Sequence, residues 1–246
     1  MTLLSTDLIK DIPLFQELDT KALESILENA HQRPVARHAF YFHEGDIATS
    51  LYVLVQGRVK LMQTTPEGHQ VVLRMAVPGK MFGGLAAFGA TAYPISAQAV
   101  TDSNSLSWDG KTMAELIKRY PSVALNTLKH MATQLQEVQD RYRELVTERV
   151  EQRVARALVR LVRQSGRKIK EGILIDIPLS RQDLAEMTGT TLFTVSRILS
   201  GWEHQNLVET GREKVIITAP HALTSLAEDL PHMPAEDPLA KPTAKD

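Results

Sequence analysis

Cysteine is absent from all 246 residues. Disulfides, thiol catalysis, cysteine-ligated zinc and cysteine-held iron–sulfur clusters are excluded together. No run of about 18 apolar residues occurs either, so no membrane span is expected. The N-terminal "MTLLSTDLIKDIPLF" interrupts its apolar residues with Asp7, Lys10 and Asp11 and has no signal-peptide core, which points to a cytoplasmic protein. The chain lacks "HExxH", a P-loop, and any His/Asp/Ser set at motif spacing, so an enzyme has little support. One absence is local. The stretch "MFGGLAAFGATAYPISAQ", residues 81–98, has the glycine rhythm of a phosphate cradle but holds no Arg, Lys, Asp or Glu. After Lys80 the next base is Lys111, so a phosphate bound there would lack a cationic partner, at a high desolvation cost.

What remains is an ordinary globular composition, 43% hydrophobic and 23% charged, in a length that suits one large domain or two small ones. The net charge is −1, but residues 149–219 carry twelve Lys/Arg against eight Asp/Glu. That asymmetry hints at a half that faces nucleic acid.

Residues 5–31 read as short helices, one of them capped by Asp19 and running to about Asn29. From 34 to about 108, short β-rich runs such as "SLYVLVQGRVKLMQ" and "QVVLRMAVPGKMFG" alternate with Gly, Pro, Asp and Asn, the texture of an antiparallel sandwich or barrel. Gly57 and the "TPEGHQ" stretch around Gly68 read as hairpin turns. A short helix, "DGKTMAELIKRYP", is ended by Pro121. Beyond it Leu128, Met131, Leu135, Val138, Tyr142 and Leu145 recur at spacings of 3, 4, 3, 4 and 3. So narrow a stripe on a long polar helix predicts a seam against a second copy of the chain, with packing on the chain's own β-domain as the alternative. Residues 150–165 form a further helix that buries Val154, Leu158, Leu161 and Val162. Its other side carries Arg153, Arg156, Arg160, Arg163 and Arg167, either a solvated face or a stripe that meets phosphates. The proline-rich tail from Pro231 on is expected to be disordered.

The segment "LSRQDLAEMTGTTLFTVSRILSGWEHQN", residues 179–206, is the most informative. Ser180 and Asp183 make a capping box, Gly189 permits a sharp turn, and Thr190 or Thr191 caps a second helix. That helix buries Val195, Ile198, Leu199 and Trp202 and leaves Phe193, Ser196, Arg197 and Ser200 outward. Two short helices about a glycine turn describe a helix-turn-helix, with an ordinary helical hairpin as the alternative. Arg197 is the candidate bidentate donor to guanine, Ser196 and Thr191 could bond a base or phosphate, and Phe193 can pack on a thymine methyl. "NLVETGREKVIIT" then reads as strand, turn and strand, a wing that offers Arg212 and Lys214 to phosphates.

The segment "SRQDLAEMTGTTLFTVSRILSGWEHQNLVETGREKVIIT" resembles the winged helix-turn-helix of the CRP/FNR superfamily of bacterial transcription regulators, with "TVSR" and "RQDLAEMTG" its specific strings. "FYFHEGDIATSLYVLVQGRVKLM" resembles that family's cyclic-nucleotide-binding-like β-roll, and the 126–149 helix its dimer helix. The resemblance implies an α+β chain: a β-roll jelly roll that senses an effector (1–125), a dimerisation helix (126–149), a winged helix-turn-helix (150–230) and a tail (231–246). It implies a homodimer on palindromic double-stranded DNA, in contact with RNA polymerase as an activator. Ser180, Arg181, Gln182, Thr190, Thr191, Leu192, Phe193, Ser196, Arg197, Ser200, Arg212 and Lys214 become the DNA-contacting set. Phe82, Gly83, Gly84, Leu85, Tyr93, Ile95 and Ser96, with Met131, Leu135 and Val138 from the long helix, become the effector pocket.

The chain departs from its family at telling positions. Where the cyclic-AMP-binding branch has a Glu for the ribose, this chain has Gly84. The Arg-Ser pair for the phosphate falls at Pro94 and Ile95, and the Thr-Ser pair for the adenine at Val138 and Gln139. Cyclic AMP is therefore not the expected effector, and the pocket suits an apolar or flat ligand. Without cysteine the cluster of the oxygen-sensing branch is excluded. "GTTLFTVSR" is most similar to a third, nitrogen-oxide-responsive branch, some members of which are thought to carry haem. Haem would need an axial His from among His31, His38, His43, His69 and His130, each of which also reads as a surface or structural residue. No metal site is otherwise indicated. The oxygen-sensing branch has a Glu three residues before its Ser-Arg pair. Here that position is Phe193, so a "TTG"-like half-site is expected, with a different choice inside it. The rival from another class is a ligand-binding regulatory module that does not read DNA.

Overall fold

The structure, a computed structural model, describes residues 6–84, 89 and 91–229. Two helical turns, Thr6–Leu8 and Pro13–Phe15, lead into α1 (Thr20–Glu28), whose first turn is capped by the Asp19 carboxylate accepting from the Ala22 N–H at 2.8 Å. Eight strands follow: β1 (His31–Val35), β2 (Phe40–Phe42), β3 (Ser50–Gln56), β4 (Val59–Thr64), β5 (Gln70–Ala76), β6 (Met81–Phe82), β7 (Ser96–Ala99) and β8 (Ser103–Asp109). They form two antiparallel sheets in the orders β1-β8-β3-β6 and β2-β7-β4-β5. This is the β-roll. Its core mixes aliphatic residues with a ring cluster in which Tyr41 meets Phe82 edge-on and Phe42 stacks on Tyr93 at 3.7 Å. A second core joins the N-terminal helices to the first sheet, where the Trp108 indole donates to the Ile26 carbonyl at 2.9 Å.

Helix α2 (Gly110–Arg119), capped by Asp109, leads into α3 (Pro121–Thr147). The long helix thus spans Pro121–Thr147 rather than 126–149. Pro121, expected to end one helix, opens the next, where its missing N–H costs nothing. Then come α4 (Val150–Ser165), β9 (Gly166–Ile169), β10 (Gly172–Ile175), α5 (Arg181–Thr188), α6 (Leu192–His204), β11 (Val208–Gly211), β12 (Lys214–Ile217) and α7 (Pro220–Glu228). The last four strands make one small sheet, β11-β12-β10-β9, with α4, α5, α6 and α7 packed around a shared core. The expected tail, 231–246, lies outside the described residues.

Two sequence expectations about strands meet different fates. Gly68 lies in the β4–β5 hairpin as read. Gly57 does not make a hairpin: β3 and β4 belong to different sheets, and Gly57 turns the corner between them. Its φ of +91° is a glycine conformation, and a Cβ there would lie 2.5 Å from the Asp102 carbonyl oxygen. The β4–β5 ladder also contains a bulge. Leu61 pairs with Arg74 and Met62 with Val72, which leaves Leu73 without a partner strand residue. The extra residue reverses the phase of the strand. Val72 and Met75 point out of the roll, into the core around α5, while Ala76 packs inside the roll.

Gly57→Ala should destabilise the chain by about 1–3 kcal/mol, since the residue must hold a left-handed backbone against a carbonyl. Denaturant midpoints of the two proteins measure this.

Candidate DNA-reading face and effector cavity

The C-terminal helices are positioned by local chemistry. Ser180 caps α5: its Oγ accepts from the Asp183 N–H, while the Asp183 carboxylate accepts from the Ser180 N–H at 3.1 Å. Gly189 ends α5 with a φ of +61°, the left-handed geometry that lets the chain turn within two residues. Thr191 then caps α6 through the Thr194 N–H. Val195, Leu199 and Trp202 are buried, and the Trp202 indole donates to Glu151 of α4 at 2.9 Å. The opposite face of α6 is left open. Phe193 is 77% exposed, Leu192 and Arg197 are exposed, and Ser196 and Ser200 are half-buried. None of their side chains hydrogen-bonds to a described residue. The same holds for the exposed wing residues Arg212 and Lys214. Ser180, Arg181 and Gln182 are engaged within the protein: Ser180 in its cap, Arg181 with Thr210 of the wing at 3.2 Å, and Gln182 with Glu186. Thr190 and Thr191 sit beside them, lining a groove of about 640 Å³ shared with Gly68–Val71 of the β-roll.

The arginine stripe of α4 is tied up at Arg153, Arg156 and Arg160, while Arg163, and Arg167 beyond it in β9, stay exposed. Arg153 donates to the carbonyls of Thr188 and Glu148, Arg156 pairs with Glu148 at 2.8 Å, Arg160 grips Glu144 through both carboxylate oxygens, and Arg167 faces Asp176 at 3.6 Å.

The reading module also touches the β-roll. Lys60 of β4, 12% exposed, lies 3.4 Å from Asp183 and 3.8 Å from Glu186 of α5. Arg37 holds the wing-tip Glu213 through both oxygens, at 2.8 and 3.0 Å. These residues escaped the sequence reading because each pair is separated by more than a hundred positions.

On the long helix, Leu128, Met131, Leu135, Val138, Tyr142 and Leu145 are 39–70% exposed, and Leu125 and Val146 extend the apolar surface. The packing of this stripe on the chain's own β-domain therefore leaves most of it uncovered.

A cavity of about 220 Å³ opens between the β-roll and α3. Of the expected effector residues, Phe82, Gly83, Gly84, Tyr93, Ile95 and Met131 line it. Leu85 lies outside the described residues. Ser96 is buried and accepts from the Glu44 N–H instead, Leu135 is exposed on the helix, and Val138 lines a separate cleft with Tyr142 and Leu145. The expectation of a cavity without charge is wrong. Arg74 of β5 lines it, together with Gln134 of α3. The local scan of 81–110 could not reveal an arginine delivered by an earlier strand. Its only signal was a lone base in the apolar run "VVLRMAV". Burial pushes the Arg74 pKa below its ordinary value; Glu137 opposes this and Arg141 adds to it. His130, whose ring contacts the Gln134 amide, has its pKa pushed down to about 4 by burial, then by Arg74 and Lys80. Haem does not fit this site. Among the described residues no histidine lines the cavity, and His31, His38, His43 and His69 are exposed. The volume is also below the roughly 300–1,000 Å³ of ordinary ligand pockets.

A sensing roll, a long helix and a winged helix-turn-helix define a DNA-binding transcription regulator with an effector-binding domain. Residues 32–120 match the cyclic nucleotide-binding domain family and residues 152–226 the Crp-like helix-turn-helix domain family. The chain is similar to the cyclic AMP receptor protein of Thermus thermophilus, 29% identical over 89% of this chain and 98% of the relative. The global nitrogen regulator of Synechocystis is 26% identical over 88% of this chain and 96% of that protein. Among solved structures, FixK2 from Bradyrhizobium japonicum shares the fold, with a TM-score of 0.72 at 22% identity over 80% of this chain and 96% of that one. The chain belongs to the CRP/FNR superfamily of transcription regulators. Among the described residues, no helix is long and apolar enough to cross a membrane.

His130 is neutral in the fold at pH values where it would be charged in the unfolded chain. Its contribution to stability is present above its ordinary pKa of 6.5 and is lost as pH falls toward about 4. His130→Gln should therefore narrow the stability difference between pH 7 and pH 4, read from denaturant midpoints at the two pH values.

Proposed function

We propose that this chain is a homodimeric, sequence-specific activator that works in the cytoplasm and presses two copies of α6 into adjacent major grooves of a rough palindrome. Arg197 carries the reading. It stands exposed and unpaired on the first half of α6, where a guanidinium reaches guanine O6 and N7 bidentately. Phe193, Ser196 and Ser200 flank it, and Arg212 and Lys214 flank the groove as phosphate contacts. The uncovered stripe from Leu128 to Leu145 supplies the seam between copies, which continues through Leu125 and Val146. A second copy fixes the spacing of the two reading helices at one turn of DNA, and the activator role implies contact with RNA polymerase.

The β-roll cavity takes a small effector. Gly84, Pro94 and Ile95 line it where the cyclic-AMP branch places Glu, Arg and Ser, which supports an effector other than cyclic AMP. Nitrogen-oxide sensing through haem is not part of the reading, given the cavity's size and its lining. The effector acts only by binding one arrangement of roll and reader more tightly than another. The rival of a regulatory module without DNA reading has no observation in its favour, since the wing and both helices of the reading motif are present.

Arg197→Ala should weaken binding to a "TTG"-containing palindrome by about 1–3 kcal/mol and abolish discrimination at the guanine. Fluorescence anisotropy with half-site variants reads both; a variant that still discriminates the guanine counts against the assignment. Leu135→Glu should convert the dimer to monomer in sedimentation velocity and remove the preference for two correctly spaced half-sites.

A further inference from the structure

Arg74 is a cation placed where cations are costly. The wall around it is mostly apolar, Met81, Phe82, Pro94, Ile95 and Met131, with two neutral polar side chains, Gln134 and Tyr93, the latter's hydroxyl already bonded to the Ser50 backbone. Its guanidinium makes no hydrogen bond and no ion pair within 4 Å to any described residue. Its charged surroundings do not supply a dedicated partner. Glu137 of α3 attracts it from beyond ion-pair distance, while Arg141 repels it and His130 is held neutral. Arg141 itself is committed elsewhere, donating to the Leu73 carbonyl. The bulge at Leu73 sets the phase that lets Arg74 point into the cavity. Arg74 is half-buried, so its guanidinium keeps some contact with solvent, but among the described residues it has no acceptor for any of its five donors. With no protein partner, the charge adds no contact to the fold that Met or Leu would lose.

We propose that the cavity binds a small organic oxyanion, its carboxylate or monophosphate head held by Arg74 and Gln134 and its compact apolar body resting on Phe82, Ile95 and Met131. The guanidinium fork and a planar oxyanion match bidentately. The volume bounds the body: a cavity of roughly 150 Å³ admits a benzene, so about 220 Å³ admits one ring or a branched chain of that size plus the anionic head. The ligand would bridge β5 to α3, since Arg74 comes from the strand and Gln134 and Met131 from the helix. This deepens the reading of the roll as the effector sensor and rests on it.

The test uses the full-length protein and two readouts. First, ligand-free thermal stability compares wild type with Arg74→Met. An anchor kept at a cost to stability predicts a higher Tm for the variant, and a lower Tm overturns the proposal by making Arg74 a structural residue. Second, calorimetric titration with benzoate, hexanoate and phenyl phosphate is set against neutral benzamide and hexanamide. At least one anion should bind, with no binding of its neutral counterpart, and Arg74→Gln should weaken it about tenfold or more while Arg74→Lys retains part of the affinity. The carboxylate and phosphate arms identify which head the site takes. Binding of amide and acid alike, binding unaffected by Arg74→Gln, or no binding by any anion overturns the proposal. Palindrome binding by the same protein separates the two levels. If it persists while no anion binds, only the oxyanion assignment falls; if it is absent in every sample, the reading as a DNA regulator falls.

Discussion

A single extra residue in β5 organises the contacts between the three parts of this protein. In an unbroken strand Val72, Arg74 and Ala76 would share one face. The bulge at Leu73 reverses that phase, so Val72 and Met75 face out to α5 while Arg74 lines the cavity and Ala76 packs inside the roll. At the bulge itself, the Leu73 carbonyl accepts from Arg141 of α3. One strand therefore touches the cavity, the long helix and the reading module at consecutive residues. Any ligand that pulls on Arg74 acts on the segment that seats α5.

The ion pairs between roll and reader differ in weight. Arg37 and Glu213 are each more than two-fifths exposed, so their bidentate contact is screened by solvent and adds little. Lys60 is more withdrawn, and its partner Asp183 is already engaged in capping α5. The same carboxylate thus starts the helix and receives the β-roll's lysine. Separating the modules would leave Glu186, 10% exposed, without the lysine beside it. These pairs define where the reader docks more than how tightly it is held.

Features set by neighbours in sequence were legible before the fold was known. Asp19, Ser180 with Asp183, Gly189 and Thr191 each act within a few positions, and each occupies the predicted cap or turn. The periodic stripe of α3 was legible for the same reason. What failed was non-local. Gly57 looked like a hairpin because the strands beside it are adjacent in sequence, yet they lie in different sheets. The arginines of α4 looked like one face, but Arg160 is held by Glu144 from the preceding helix and Arg156 by Glu148 from the elbow between the helices. Arg74 was missed because a bulge is a property of two paired strands, and period-two reading of one strand cannot register it. The cavity's one cation thus lay ahead of the glycine loop in which it was sought.

The elbow between α3 and α4 is the stiffer of the two joints that position the reader. Glu148 and Arg149 are extended residues between helices, which by themselves would make a hinge. Three contacts cross it, however: Glu144 with Arg160, Glu148 with Arg156, and the Glu148 carbonyl with Arg153. Glu144 is buried, and a buried carboxylate stripped of its arginine costs several kcal/mol. The joint between β5 and α5 rests mainly on Val72 and Met75, whose burial contributes about 3–6 kcal/mol at most. That is the scale on which a ligand works, since moving a two-state balance from 1:99 to 99:1 takes about 5.5 kcal/mol of differential binding. The apolar docking of α5 on the roll is thus of the same order as the differential binding the proposed effector would have to supply, whereas parting α3 from α4 would strand a buried carboxylate.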